Sequence, residues 1–130
     1  MVVQTKNDIT NKKMNFYEKF RSKPLYKRLE IAENAIMKCP DRIPVIVDQG
    51  EKKDPNISKH QFLCPLNDSI GTLFCFIRQH VQILPEESLF FFTNRRTLIS
   101  GSSLVAEIYE QHKSKDKFLY IFYTRENVFG

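Results

Sequence analysis

Few groups in this chain can do covalent or coordination chemistry: three cysteines, three histidines and the carboxylate of Gly130. Cys39, Cys64 and Cys75 are scattered, with no Cys-x-x-Cys spacing. An odd count without a framework fits free thiols in a reducing compartment. His60, His80 and His112 are equally dispersed, so no metal site is expected. A thiol nucleophile paired with an imidazole base is the remaining catalytic option. Cys75 and His80 stand five apart on an expected helix, so they share no face. Cys64 lies in an apolar strand, where a structural thiol is expected. The chain reads as a non-enzyme without a cofactor.

Gly130 draws interest through what precedes it. In residues 117–124, Phe118, Tyr120 and Phe122 alternate with Leu119, Ile121 and Tyr123. A strand apolar on both faces is covered on both and belongs inside a sheet. The chain then turns polar for three residues and reaches Gly130. A core strand followed by a short tail and a glycine suits a tag joined through its carboxylate. The same stretch also describes a strand with a frayed end, which is the commoner case.

The other elements must position that strand. Residues 14–21 read as a short helix with Phe16, Tyr17 and Phe20 on one side. Pro24 suits the first turn of a second helix. Leu25, Leu29, Ala32 and Ile36 form its expected core stripe, and Ile31 with Ala35 a smaller second one. Residues 42–48 and 60–65 read as strands joined by a polar loop, hence an antiparallel hairpin. Pro65 cannot donate to a ladder, so the second strand should be an edge or end there. After possible caps at residues 67–69, Ile70, Phe74, Ile77 and Val81 form a helical stripe. Leu73 and Phe76 then occupy another face beside His80, one stripe more than a surface helix needs. Residues 88–93 are a strand. Ser102 or Ser103 should cap a helix with Leu104, Val105 and Ile108 inward. This order predicts an α+β fold: a β-grasp sheet with a helix across it and two additional N-terminal helices. The expected layout is a flexible basic arm at 1–14, a helical extension at 15–40 and a sheet domain at 41–130, with a tail at 125–130.

At 130 residues and 42% hydrophobic content the chain can build one core. No long apolar run suggests a signal peptide or membrane span, and a cytoplasmic protein is expected. Residues 1–30 hold eight Lys/Arg against Asp8, Glu18 and Glu30, so the net charge of +5 sits wholly in that segment. It can attract an anionic surface or simply keep the protein soluble. The basic arm with Phe16, Tyr17 and Phe20 could meet a membrane. No aromatic-basic platform accompanies it, so nucleic acid is not an expected partner.

Several segments together resemble one family. They are Cys39-Pro40-Asp41-Arg42-Ile43-Pro44-Val45-Ile46-Val47-Asp48, Phe62-Leu63-Cys64-Pro65, Ile77-Arg78, Leu89-Phe90-Phe91-Phe92, Ile108-Tyr109-Glu110-Gln111-His112-Lys113, Asp116-Lys117-Phe118-Leu119-Tyr120-Ile121 and Glu126-Asn127-Val128-Phe129-Gly130. In order and spacing they resemble the autophagy-related ubiquitin-like modifiers, which include the GABA-receptor-associated proteins and the microtubule-associated light chain. The resemblance spans roughly residues 16–130.

The resemblance implies a ubiquitin-like fold and a route. A cysteine protease exposes and later releases the glycine matched by Gly130. Activating and conjugating enzymes pass it to phosphatidylethanolamine on the autophagosome membrane. Short aromatic-x-x-aliphatic motifs of cargo receptors then add along residues 61–65 as an extra strand. It implies an aromatic pocket of Ile31, Ala35, Pro44, Ile46, Leu63 and Phe118. An aliphatic pocket would comprise Phe62, Cys64, Pro65, Leu73 and Phe76, with His80 at its rim, and Lys59 would be a basic residue of the face. Departures include Ile31 for an acidic residue, Ala35 for a larger aliphatic one and Asp68 for Leu. Gln61 and His80 replace Lys and Arg. The alternatives are a ubiquitin-like protein attached to a protein substrate, or an unconjugated peptide-binding module.

Overall fold

The computed structural model describes residues 14–126; the arm up to residue 13 and the tail residues 127–130 lie outside the described part. Eight elements follow in order: α1 Phe16–Arg21, α2 Leu25–Lys38, β1 Arg42–Gln49, β2 Gln61–Pro65, α3 Ile70–Gln79, β3 Leu89–Thr93, α4 Val105–His112 and β4 Leu119–Arg125. The strands form one mixed sheet in the order β2-β1-β4-β3. β1 pairs antiparallel with β2 and parallel with β4, and β3 pairs antiparallel with β4.

The period-two pattern of β4 decides its central place. Leu119, Ile121 and Tyr123 enter a core with Ile43, Val45 and Val47 of β1, Ile70, Leu73 and Ile77 of α3, and Val105 and Ile108 of α4. Phe118 and Tyr120 enter a second core with Ile46, Phe20 of α1 and Ala32 of α2, and Phe122 packs against its margin. Each fully buried Ile or Leu contributes about 1.5–3 kcal/mol. Pro44 is tolerated in an inner strand because the β1–β4 register begins only at Val45↔Leu119.

Several expectations are corrected. Leu25 is 42% exposed rather than part of the core stripe, which is buried at Ala32. Leu104 is exposed rather than inward. It occupies the α4 N-cap itself, so neither Ser102 nor Ser103 caps that helix. Leu73 belongs to the main core, whereas Phe74, expected there, is half-buried and stacks on Phe91 with centroids 4.0 Å apart. Phe16, Tyr17 and Phe20 pack onto the sheet, Phe20 fully and the other two in part. Tyr17 packs edge-on to Tyr120 and Phe122, Phe20 to Phe118, and Phe16 stacks on His60 at 4.4 Å.

The N-terminal helices are tied down by buried polar groups that alternation does not reveal. Asp116, 0% exposed, lies 2.6 Å from the Arg28 guanidinium of α2. The same carboxylate accepts the Phe118 amide at 3.0 Å and the Tyr120 hydroxyl. Burial and the neighbouring carboxylate push the Tyr120 phenol well above its ordinary pKa, so it stays a donor. Asp48 accepts the Tyr17 amide at 2.8 Å and so caps the first turn of α1 from the sheet. Asp116→Ala strands the buried Arg28 cation. It should lower unfolding stability by about 3–5 kcal/mol, measured as a fall in the urea midpoint. A loss under about 1 kcal/mol would mean water replaces the carboxylate.

Candidate peptide-binding groove and tail

β2 is an edge strand: β1 takes one side and no strand among the described residues takes the other. Its five residues alternate, with Phe62 and Cys64 buried toward α3 while Gln61 and Leu63 are exposed. An edge of unpaired amides and carbonyls is a template for an added strand.

A cavity lies on each face of this edge. The first encloses about 470 Å³ between α2 and β2, lined by Ile31, Ala35, Pro44, Leu63 and Phe118, with Lys59 and Gln61 at the side. The second, about 270 Å³ between β2 and α3, is lined by Phe62, Cys64, Pro65, Leu73 and the exposed Phe76. Arg42 reaches both and donates to the Leu63 carbonyl at 3.4 Å.

Two residues of the implied pockets are not among the residues that line either cavity. Ile46 has the right parity but lies too deep: at 1% exposure it is sealed under α1 and α2 and lines neither cavity. His80, the C-cap of α3, is not itself part of the second cavity's lining but packs against Phe62, which is. Its ring meets Phe62 edge-on at 5.9 Å, and its Nδ1 lies 3.1 Å from the Ser58 hydroxyl. Lys59 holds its ammonium 4.9 Å above the Phe62 ring. The sequence reading missed Arg42 and Thr72 as lining. It noted Asp68 only as a departure, although Asp68 also lines the second cavity. Arg42 was recoverable from the hairpin register, which places it opposite Pro65.

The thiols divide by environment. Cys64 is buried, and burial, with a smaller contribution from Asp68, pushes its pKa up to about 11. Cys75 is exposed on α3. Gly130 lies outside the described residues. The chain leading to it leaves β4 at Arg125, and the Glu126 amide donates to the Ser88 carbonyl at 2.8 Å. Among the described residues no helix is long and apolar enough to cross a membrane.

A four-stranded mixed sheet with one helix across its main core and two N-terminal helices on the other face is the ubiquitin-like β-grasp with an N-terminal extension. The profile of the family described as "Autophagy protein Atg8 ubiquitin like" matches residues 27–130. Autophagy-related protein 8 of Candida glabrata is 39% identical over 108 residues, 82% of this chain and 91% of that one. Autophagy-related protein 8 of Dictyostelium discoideum is 40% identical over 109 residues, 82% and 88% of the two chains. The crystal structure of Trypanosoma brucei ATG8 superposes with a TM-score of 0.77 at 30% identity, covering 91% of this chain and all of that one. The chain belongs to the Atg8 ubiquitin-like family and is a ubiquitin-like autophagy protein.

With a pKa of about 11, roughly one Cys64 in a thousand is thiolate at pH 8. A maleimide at that pH should label Cys75 readily and spare Cys64 until the chain is unfolded. Peptide mapping checks this; Cys64 labelled as fast as Cys75 in the folded protein would contradict the buried assignment.

Proposed function

We propose that this chain is a modifier joined through Gly130 to phosphatidylethanolamine, carried on the autophagosome membrane, where its groove recruits cargo receptors. The carrying observation is the pair of cavities on opposite faces of one free strand edge. Residues three apart in an extended peptide point to opposite faces and stand about 10 Å apart. An aromatic-x-x-aliphatic motif added along β2 therefore sends one anchor toward Ile31, Ala35 and Phe118 and the other toward Leu73 and Phe76. Main-chain pairing supplies register, and the pockets supply choice.

The acceptor lipid fits the same reading. Phosphatidylethanolamine offers a primary amine for an amide bond with the glycine carboxylate, and its two acyl chains anchor more stably than one. Activating and conjugating enzymes carry the glycine to that amine, and a cysteine protease acts on the same tail. The protein contributes the acyl group and the groove; bond formation belongs to the cascade.

The test is the mass of the chain recovered from membranes of autophagy-induced cells, beside a Gly130→Ala control. A shift equal to phosphatidylethanolamine, absent in the control, is expected. Attachment to a protein, or no attachment, would overturn the lipid assignment.

Asp68 predicts a preference. Its carboxylate borders the aliphatic cavity, and among the described residues it forms no ion pair. Asp68→Leu should tighten a synthetic aromatic-x-x-aliphatic peptide by about 1 kcal/mol, roughly fivefold in Kd. Titration calorimetry checks this, and weaker binding in the variant would mean Asp68 itself contacts the peptide.

A further inference from the structure

The loop between β1 and β2 is built around a buried carboxylate. Asp54 is 6% exposed and forms no ion pair among the described residues. Its charge is met by three donors instead. Oδ2 accepts the Glu51 amide at 2.8 Å; Oδ1 accepts the Thr124 hydroxyl at 3.0 Å and the Arg125 amide at 3.1 Å. Two of the three belong to the end of β4.

The ladder explains why they need it. The β1–β4 register ends at Gln49↔Tyr123, and the Gly50 amide closes it on the Tyr123 carbonyl at 2.7 Å. A Cβ at Gly50 would lie 2.9 Å from that carbonyl and 2.6 Å from the Phe92 ring, so the seam closes this tightly only around glycine. Beyond it, β4 still has β3 on its other side, where Leu89 pairs with Arg125 and Ser88 takes the Glu126 amide. On the β1 side the next amide, Arg125, has no strand to meet. Asp54 takes the place of that missing strand. The loop that carries it is itself held: Gln49 Nε2 donates to the Asp54 carbonyl at 2.5 Å, and the Tyr123 hydroxyl donates to the Pro55 carbonyl.

We propose that Asp54 is a positioning residue for conjugation: its carboxylate fixes the point and direction at which the chain leaves the sheet toward Gly130. This rests on the reading of Gly130 as the conjugated residue. Gly130 lies four positions past Glu126, a reach of at most about 14 Å; counted from Tyr123 the reach is about 24 Å. Without Asp54 only the β3 pairing holds Thr124 to Glu126; each time that one-sided pairing frays, the volume open to Gly130 grows by up to about fivefold and dilutes it in proportion at an enzyme that also holds the sheet.

The experiment uses the full chain, a purified activating enzyme from a family relative, and ATP. Thioester formation on Gly130 is measured as KM and kcat for wild type, Asp54→Ala and Thr124→Val, alongside amide exchange at Arg125 and Ile121. Asp54→Ala should speed Arg125 exchange about tenfold and leave Ile121 unchanged. It should raise KM about fivefold, with kcat held within about twofold. Thr124→Val, which removes one of the two β4 contacts, should move both readouts less and in the same direction. Should Asp54→Ala fail to fold, Thr124→Val decides on the same readouts. Unchanged Arg125 exchange would overturn the clamp. Faster exchange with unchanged KM would overturn its positioning role. A wild-type chain that forms no thioester would overturn the conjugation reading and this proposal with it, whereas a normal wild type beside unaffected variants would overturn this proposal alone.

Discussion

The contact between Arg28 and Asp116 governs most of what this molecule presents to a partner. The two residues stand 88 positions apart, one on α2 and one in the turn before β4. Bringing a guanidinium and a carboxylate out of water is costly unless their remaining donors and acceptors are met. Here they are met: Arg28 Nε donates to the Lys23 carbonyl, while Asp116 also takes the Phe118 amide and the Tyr120 hydroxyl. α2 therefore docks in one register. Ile31 and Ala35 lie three and seven residues beyond Arg28, on the same helical face. Fixing Arg28 places both over the edge of β2, and the first cavity exists because of it. The exposed Lys117–Glu33 bridge spans the same two segments, but so open a pair adds little.

The free edge of β2 is a hazard as well as a site, since a bare edge invites pairing with any extended chain. Its design narrows the choice. The strand is five residues long and stops at Pro65, which offers no amide. Lys59 and Arg42 place cations at its two ends. What remains is a short template, and under the proposed function its selectivity comes from the pockets at its sides. The second pocket is a mixed surface, because Asp68, Thr72 and Arg42 share it with Leu73 and Phe76. A peptide taken up as proposed must accept that polarity along with its apolar anchor.

The fold was legible where one physical rule acted alone. Alternation in residues 118–123 identified a central strand, because side-chain direction along a strand follows from backbone geometry. Parity also put Ile46 on the correct face, but parity says nothing about depth, and α1 and α2 seal that position. Leu25 fits a helical stripe and is exposed, because periodicity marks a face and not how far along the helix that face is covered. The least legible residues were the buried charges. Arg28, Asp48, Asp54 and Asp116 look like surface residues in one dimension, and all are buried. Each acquires its role from a distant partner, and no local pattern marks such a partner. The pockets' apolar residues came from family resemblance, Ile46 among them although it lines neither cavity; Arg42 was recoverable from the hairpin register, and Thr72 needed coordinates.

The loop between β1 and β2 joins the two working regions. It starts beside the end of β4, carries Asp54, and runs on to Lys59 at the groove. Movement of Lys59 on peptide binding could therefore reach the tail only if this loop had two stable arrangements. The contacts argue against that. Gly50 is fastened to Tyr123, Pro55 to the Tyr123 hydroxyl, Ile57 forms a bridge with Val81, and the Ser58 amide donates to the His80 carbonyl at 2.8 Å. A loop pinned at four points along nine residues, against strand and helix alike, behaves as part of the sheet. The groove and the end of β4 are held by one rigid frame, so a partner can occupy the edge of β2 while the other end of the sheet keeps its exit geometry. Under the proposed function, in which the tail anchors and the groove is read, that independence lets both be used at once.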